Sequence, residues 1–387
     1  MLQAVDLARR GRGFVEPNPM VGCVLVRDGR VVASGYHAIY GGPHAEPEAL
    51  AALAASGGSG RSDAHGVTAY VTLEPCSHTN KKTPPCAPRL IEAGVKRVVV
   101  GCRDPNPLVD GRGIAMLRSA GVDVTTGVLE AVCRQLIAPF YARTVLKRPY
   151  VTAKVALSRD GRMAGALGRP VRITNAASDR LVHQLRARCD AIAVGTNTVR
   201  NDDPSLTVRG VPVVRRPVRV VLSSRLEHLV PGRKLFATAR EVPTLVYAAE
   251  TADAGRVEAL RALGVEVVLL AAAEGGRFAF PDALRNLAAR GHSHLMLEPG
   301  PTLAAALAAR GQLDRLWRFE SPKEVGEAGL SAPDVLLRGT AAFDEAWREV
   351  ARADLDGDTF SEHLNPAGEA FFAAVAGTEA ALATQPA

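Results

Sequence analysis

The chain is 387 residues long, 47% hydrophobic and 5% aromatic, which is enough to bury more than one core, so two domains of ordinary size are expected. Charged residues make up 22%, no apolar run approaches the roughly 18 to 20 residues of a membrane-spanning helix, and the start, with Asp6, Arg9, Arg10 and Arg12, holds no signal-like stretch, so a membrane protein is excluded and the cytoplasm expected. The net charge of +7 sits mostly in residues 1–148, where 18 Lys and Arg face 12 Asp and Glu, and this half favours an anionic partner, a phosphorylated small molecule or a nucleic acid.

Apolar strand-like runs alternate with helical segments along the whole chain, the mark of α/β folding. Residues 21–26 and 31–35 flank Arg27-Asp28-Gly29-Arg30, and the Asp-Gly pair predicts a hairpin. Helices are expected over residues 45–55, 87–93 and 113–119, with strands over 67–73 and 97–101, which fits a three-layer α/β/α domain. Lys147-Arg148-Pro149 interrupts the pattern, so the first domain is drawn as residues 1–146 and the second as 149–370. The second offers strands over 151–156, 191–194, 218–222, 244–248, 265–270 and 294–297, with helices between several of them, and an Ala-rich tail follows over 371–387. No repeat at a fixed period is present.

Six cysteines are too sparse for a disulfide framework, so metal binding, catalysis or packing must account for them. His44-Ala45-Glu46 is followed by Pro75-Cys76 and by Cys86. One imidazole and two thiolates form a three-ligand set for Zn²⁺, which leaves the fourth tetrahedral position open for a water whose pKa the metal lowers. Glu46, two residues after His44, is placed to shuttle protons without binding the metal. This is the zinc deaminase signature, in which activated water attacks an amino-bearing ring carbon. Nine residues separate the two cysteines where the common signature has a C-x-x-C, so the second ligand arrives after a Pro84-Pro85 loop. A structural zinc closed by His78 as a fourth ligand is the alternative, and His78 reads better as a substrate contact. Cys23, Cys102, Cys133 and Cys189 lack metal-ligand spacing and read as buried core.

Beyond these residues, Pro17-Asn18-Pro19-Met20-Val21-Gly22, Gly41-Gly42-Pro43, Leu73-Glu74-Pro75-Cys76-Ser77-His78, Thr83-Pro84-Pro85-Cys86 and Asp104-Pro105-Asn106-Pro107 occur in order. With Lys154, Ser158, Asp160-Gly161, Leu185-Arg186-Ala187, Asp202-Asp203-Pro204, Leu206-Thr207-Val208-Arg209, Glu298 and Gly300 further on, the chain resembles the bifunctional riboflavin-biosynthesis deaminase/reductase family, over most of its length and more weakly after about residue 320. The resemblance implies a cytidine-deaminase-like domain followed by a dihydrofolate-reductase-like one. It implies zinc-dependent hydrolytic deamination of a diaminopyrimidinone ribosylamine 5′-phosphate, then reduction of its ribosyl group with NADPH. Carried over, zinc sits on His44, Cys76 and Cys86, with Glu46 as the proton carrier. Asn18, His37, His78, Lys82, Asp104 and Asn106 fall at deaminase-substrate positions. A homo-oligomer, dimer or tetramer, is also implied.

In the second domain no G-x-G-x-x-G follows a strand, so the cofactor rests on the resemblance alone. Lys154, Arg186, Leu206, Arg209 and Glu298 match reductase-substrate positions, with Asp160 near the reacting centre. Ala156, Arg172, Thr198, Asp202, Ser224, Gly300, Pro301 and Thr302 match cofactor positions. The turn Glu298-Pro299-Gly300-Pro301-Thr302 opens a helix whose free N–H groups suit a cofactor phosphate, and Ser223-Ser224-Arg225 offers hydroxyls and a guanidinium for a 2′-phosphate.

Three departures stand out from the family pattern. Pro47-Glu48 replaces a usual Val-His after the H-x-E, and the loop between the cysteines is one residue longer, at Lys81-Lys82. Pro170-Val171-Arg172-Ile173-Thr174 replaces Ser-x-Trp-Ile-Thr, so a substrate-facing hydroxyl and the indole that covers the nicotinamide are lost, with Arg172 able to stack there.

A deaminase with a degenerate reductase-like half is therefore the alternative reading. A nucleic-acid-editing deaminase is disfavoured, because residues 1–148 contain only six Phe and Tyr and no Trp for base stacking. The partner expected is a phosphorylated pyrimidine, with neither nucleic acid nor membrane. A non-catalytic scaffold with a structural zinc is the remaining rival.

Overall fold

Asp28 and Gly29 take positive φ, 50° and 75°, and join β1 (Gly22–Arg27) to β2 (Arg30–Tyr36) in the computed structural model of the chain, the hairpin an Asp-Gly pair dictates. The structure describes residues 1–56, 64–78 and 84–365. Lys82 and the tail over 371–387 lie outside the described residues. The fold divides into two units, Met1–Lys147 and a second that begins at Arg148.

In the first unit β3 (Thr68–Leu73), β4 (Arg97–Cys102) and β5 (Asp123–Thr126) complete a sheet of order β2-β1-β3-β4-β5. β1 runs antiparallel to β2 and β3, and β3, β4 and β5 are parallel. The helices are α1 (Leu2–Arg9), α2 (Ala45–Ser56), α3 (Cys86–Glu92), α4 (Arg112–Ser119), α5 (Glu130–Leu136) and α6 (Ala138–Thr144). Successive residues of a strand point to opposite faces. A Cβ on Gly22 would strike the carbonyl of Ala4 in α1, whereas Cys23, its neighbour, packs with Ala45 and Ala49 of α2. Helices therefore cover both faces, giving three layers. Leu25, Val71, Val98 and Val100 meet Leu50 and Leu53 of α2, Leu90 of α3 and Leu117 of α4 in the core. Leu73 pairs with Cys102, so the loops after β3 and β4 open side by side at the carboxyl edge of the sheet, the usual place for a site in such sheets.

The second unit is built on a nine-stranded sheet, with two short two-stranded pairs beside it. In chain order its strands are β6 (Tyr150–Leu157), β7 (Arg162–Ala166), β8 (Ala191–Gly195), β9 (Val218–Leu222), β10 (Thr244–Ala249), β11 (Glu266–Leu270), β12 (Ala272–Ala273), β13 (Arg277–Phe278), β14 (His294–Leu297), β15 (Arg315–Glu320), β16 (Gly329–Ser331), β17 (Arg348–Leu355) and β18 (Asp358–Leu364). The large sheet has the order β11-β10-β9-β8-β14-β6-β15-β18-β17, and β12–β13 and β16–β7 form separate pairs. From β11 to β15 the strands are parallel, and they read as continuous buried runs such as the Ala191-Ile192-Ala193-Val194 of β8, because helices cover both faces. The last two strands are antiparallel and joined at Asp356 and Gly357, both of positive φ. Between strands lie α7 (Ala176–Arg186), α8 (Thr196–Asp202), α9 (Lys234–Ala237), α10 (Ala254–Ala262), α11 (Phe280–Ala289), α12 (Pro301–Ala308) and α13 (Ala341–Ala346). Among the described residues no helix is long and apolar enough to cross a membrane.

Candidate functional site

His44 immediately precedes α2, Cys76 follows β3, and Cys86 opens α3. The chain brings them together: His44 Nδ1 lies 3.4 Å from Cys86 Sγ and 3.7 Å from Cys76 Sγ, and the three donor atoms fall within 4.8 Å of one another. The Cys86 N–H reaches the Cys76 carbonyl at 3.0 Å and its Sγ at 3.3 Å, so the long loop still returns the second cysteine beside the first. One imidazole nitrogen and two sulfurs at this separation form a donor set that suits Zn²⁺. Cys23, Cys102, Cys133 and Cys189 are buried.

His44 and Cys76 stand at one wall of a pocket of about 330 Å³, within the range of small-molecule sites, with Cys86 packed behind them. Glu46, 3% exposed in the first turn of α2, lines it too. Burial first, then the neighbouring Cys76, pushes its carboxyl up from the usual range, against the opposite pull of His44 and of hydrogen bonds including one with Cys86. A carboxyl whose proton affinity is raised in this way is suited to taking a proton and giving it back.

Asn18, His37, His78, Asp104 and Asn106 line the same pocket. Burial lowers the pKa of His37, so the ring is neutral at pH 7. Its Nδ1 lies 2.7 Å from the Pro43 carbonyl, to which it must donate, and Nε2 then accepts from Asn18 Nδ2 at 3.1 Å. Asp104 Oδ1 accepts from the Asn106 N–H at 2.8 Å. Tyr40, Phe140 and Glu74 are among the lining residues to which the sequence assigned no role. Glu74 was the one open to discovery, as an acidic residue fixed between a strand end and Pro75-Cys76.

In the second unit Arg186, at the end of α7, grips Glu298 with two bonds, Nε to Oε1 at 2.7 Å and Nη2 to Oε2 at 2.9 Å, and its Nη1 donates to the Thr207 carbonyl at 3.2 Å. Burial raises the Glu298 carboxyl, but the charge and bonds of Arg186, helped by Lys154, outweigh it and hold the pKa down. Burial lowers Lys154, with Glu298 opposing. Asp202 is raised by burial and by the Glu298 charge. Thr198 Oγ1 faces Gly300, which precedes Pro301 and Thr302 in the first turn of α12. Lys154, within β6, and Glu298, just past the end of the neighbouring β14, thus mark one place, with α8 and α12 beside it.

The other residues expected here are engaged as follows. Arg209 donates to Ser205 Oγ at 2.8 Å and Thr207 Oγ1 at 3.1 Å, while its own N–H goes to His183 Nδ1. Leu206, between Ser205 and Thr207, is buried. Ala156 is partly buried in β6 and packs against the core. The Ser224 carbonyl accepts from the Ala249 N–H, and the Arg225 guanidinium donates to the Gly275 carbonyl. Arg172 is exposed and pairs with Asp179 at 2.8 Å. Asp160 takes N–H bonds from Val325 and Gly326 and the hydroxyl of Ser158, which holds its carboxyl well below the usual range.

Two family models match. Residues 1–102 match the cytidine and deoxycytidylate deaminase zinc-binding region, and residues 149–348 match the RibD C-terminal domain. Among curated relatives, riboflavin biosynthesis protein RibD of Aquifex aeolicus is 40% identical over 338 residues, 87% of this chain and 90% of that protein. The Escherichia coli K12 protein of the same name is 38% identical over 340 residues, 84% of this chain and 88% of its own length. Of solved structures, the Thermotoga maritima diaminohydroxyphosphoribosylaminopyrimidine deaminase/5-amino-6-(5-phosphoribosylamino)uracil reductase matches with TM-score 0.77 and 34% identity, covering 94% of this chain and 97% of that one. Acinetobacter baumannii RibD matches with TM-score 0.77 and 32% identity over the same shares.

Proposed function

The chain belongs to the riboflavin biosynthesis protein RibD family, and on that premise we propose how its residues divide two consecutive reactions between them. The enzyme is bifunctional: it deaminates 2,5-diamino-6-(5-phosphoribosylamino)pyrimidin-4-one hydrolytically with zinc, then reduces the ribosyl group of the product to ribityl with NADPH. Since both family models match, two activities are favoured over a deaminase with an idle second half.

In our reading His44, Cys76 and Cys86 hold the zinc, which when bound supplies a Lewis acid that lowers the pKa of water. Glu46 Oε takes a proton from that water as oxygen adds to the amino-bearing ring carbon, then returns it to the departing nitrogen, so that ammonia leaves. Neutral His37 orients Asn18, and Asn18, His78, Asp104 and Asn106 hold the pyrimidine and its substituents, with Lys82 reserved for the phosphate. A phosphorylated substrate accounts for the basic first half without nucleic acid.

For the second reaction, bound NADPH supplies hydride. Glu298, fixed by Arg186, holds a sugar hydroxyl, Lys154 donates a hydrogen bond or proton at the reacting centre, and Arg209 beside Leu206 meets the substrate phosphate. Thr198, Asp202, Ser224, Gly300, Pro301, Thr302 and Ala156 border the cofactor, with Arg172 at its rim. Domains of residues 1–146 and 149–370, a homo-oligomeric assembly and a cytoplasmic location, where NADPH and phosphorylated intermediates are held, complete this reading.

The observation that carries it is the convergence of His44, Cys76 and Cys86 within 4.8 Å, with His44 and Cys76 lining the same pocket as buried Glu46. Cys86→Ser tests it: zinc per chain and ammonia release should both be lost, while reduction of separately supplied deaminated intermediate persists. Full zinc and full deamination in this variant would refute the ligand set.

A further inference from the structure

Glu74 stands between the end of β3 and Cys76, 2% exposed, and four backbone N–H groups converge on its carboxylate. Oε2 accepts from Asp104 at 3.2 Å and Gly111 at 2.9 Å, and Oε1 from Gly113 at 2.9 Å and Ile114 at 3.2 Å. All four donors belong to one segment, which runs from the end of β4 into α4.

That segment needs such an acceptor. The first N–H groups of a helix have no partner within it, and a side chain at the N-cap ordinarily takes those of the second and third positions. In α4 the N-cap is Gly111, at φ 86°, which has no side chain to offer, and the second and third positions are Gly113 and Ile114. Glu74 supplies the missing oxygen from another element, and its negative charge suits the positive end of the helix. The fit is close, since a Cβ on Gly113 would overlap the Pro75 carbonyl oxygen, so α4 begins directly against the residue before Cys76.

The same carboxylate fixes the start of the loop that faces the pocket. With the Asp104 N–H held by Glu74, Asp104 Oδ1 takes the Asn106 N–H at 2.8 Å, and Asn106 Oδ1 takes that of Leu108 at 3.1 Å. Asp104 and Asn106 both line the pocket that contains His44, Cys76 and Glu46.

From this geometry we infer that Glu74 is a positioning residue of the deaminase: it sets where Asp104 and Asn106 stand relative to His44, Cys76 and Glu46, and so governs affinity for the pyrimidine substrate. It does so without holding the metal or moving a proton. Glutamine cannot replace it, because an amide accepts at only one of its two terminal atoms and would turn the other, itself a donor, towards backbone N–H groups. The inference rests on the deaminase reading above.

The test uses the full-length protein, with ammonia release followed across substrate concentration and zinc measured per chain. No ammonia from the unaltered enzyme would overturn the deaminase reading and the inference with it. Given an active enzyme, Glu74→Gln should raise KM by about tenfold or more while kcat stays within about threefold, with zinc unchanged. Glu74→Asp keeps the charge but draws it back from the donors. It should raise KM in the same way, and it decides the matter if the glutamine variant does not fold. In an Asn106→Ala background either substitution should cost less than about threefold, because the contact it serves is already gone. Unchanged KM, loss of zinc, a fall in kcat alone, full additivity with Asn106→Ala, or failure of both variants to fold would overturn the inference.

Discussion

Replacing Glu298 by glutamine separates the two halves of the enzyme in one protein. Glu298 is the counter-charge for Arg186, held through bonds of 2.7 and 2.9 Å, and it opposes the burial that lowers Lys154. Removing one partner of a buried ion pair costs about 3 to 5 kcal/mol, and because glutamine keeps the volume and one acceptor, about 3 kcal/mol is expected here. In a unit of this size 1 kcal/mol corresponds to about 2 to 4 °C in Tm, so the transition of the second unit should fall by about 6 to 12 °C. The uncompensated guanidinium should also depress Lys154 further. Reduction, read as NADPH absorbance with separately supplied deaminated intermediate, should drop by about a hundredfold or more, whereas ammonia release from the first substrate stays at the unaltered level. Reduction within threefold of the parent with an unmoved Tm, or deamination falling in parallel, would refute the reasoning.

Two further outcomes follow from buried basic side chains. Arg219 is fully buried and meets carbonyls and hydroxyls of Ser205, Leu235, Thr238, Val242 and Thr244, burial lowering its pKa to about 10. Arg219→Met would strand several of those acceptors at a cost of about 3 kcal/mol or more, and a thermal melt unchanged within about 1 °C would contradict this. His363, 1% exposed, has its pKa lowered to about 4 by burial and by Arg338 and Arg318. The unfolded chain therefore binds this proton more readily, so the stability tied to the neutral ring is present above about pH 6.5 and is lost as pH falls towards 4, up to about 3 kcal/mol. His363→Gln should flatten the pH dependence of Tm over that window, and an unaltered slope would show that the ring does not titrate there.

The cluster of His44, Cys76 and Cys86 was legible in the sequence because its signal is local: His-x-Glu at a helix start and two cysteines after a strand and at a helix start declare themselves by residue type. The Asp28-Gly29 turn was equally readable. The Asp356-Gly357 turn carries the same signal, and the edge strands it joins were there to be found. What could not be read are pairings made across the fold. Glu74 meets its four donors 30 to 40 residues further on. Arg219, in the run Val218-Arg219-Val220-Val221-Leu222, looks like the one solvated residue of a strand and is instead enclosed by loops from elsewhere. Arg186, which the sequence places at a substrate position, gives three bonds to Glu298 and Thr207, and Arg172 pairs with Asp179, partners that no local pattern declares. A long side chain's partner depends on which carboxylate the tertiary fold brings within reach.

The central claim is that one chain performs both reactions, and the mass of the product tests it most directly. Purified protein, zinc-loaded, is incubated with the diaminopyrimidinone substrate with and without NADPH. The expected outcome is a deaminated product in the absence of NADPH, and a deaminated product carrying two further hydrogens in its presence. Substrate recovered unchanged would contradict the zinc site, and a deaminated product that NADPH leaves unreduced would contradict the second half of the claim.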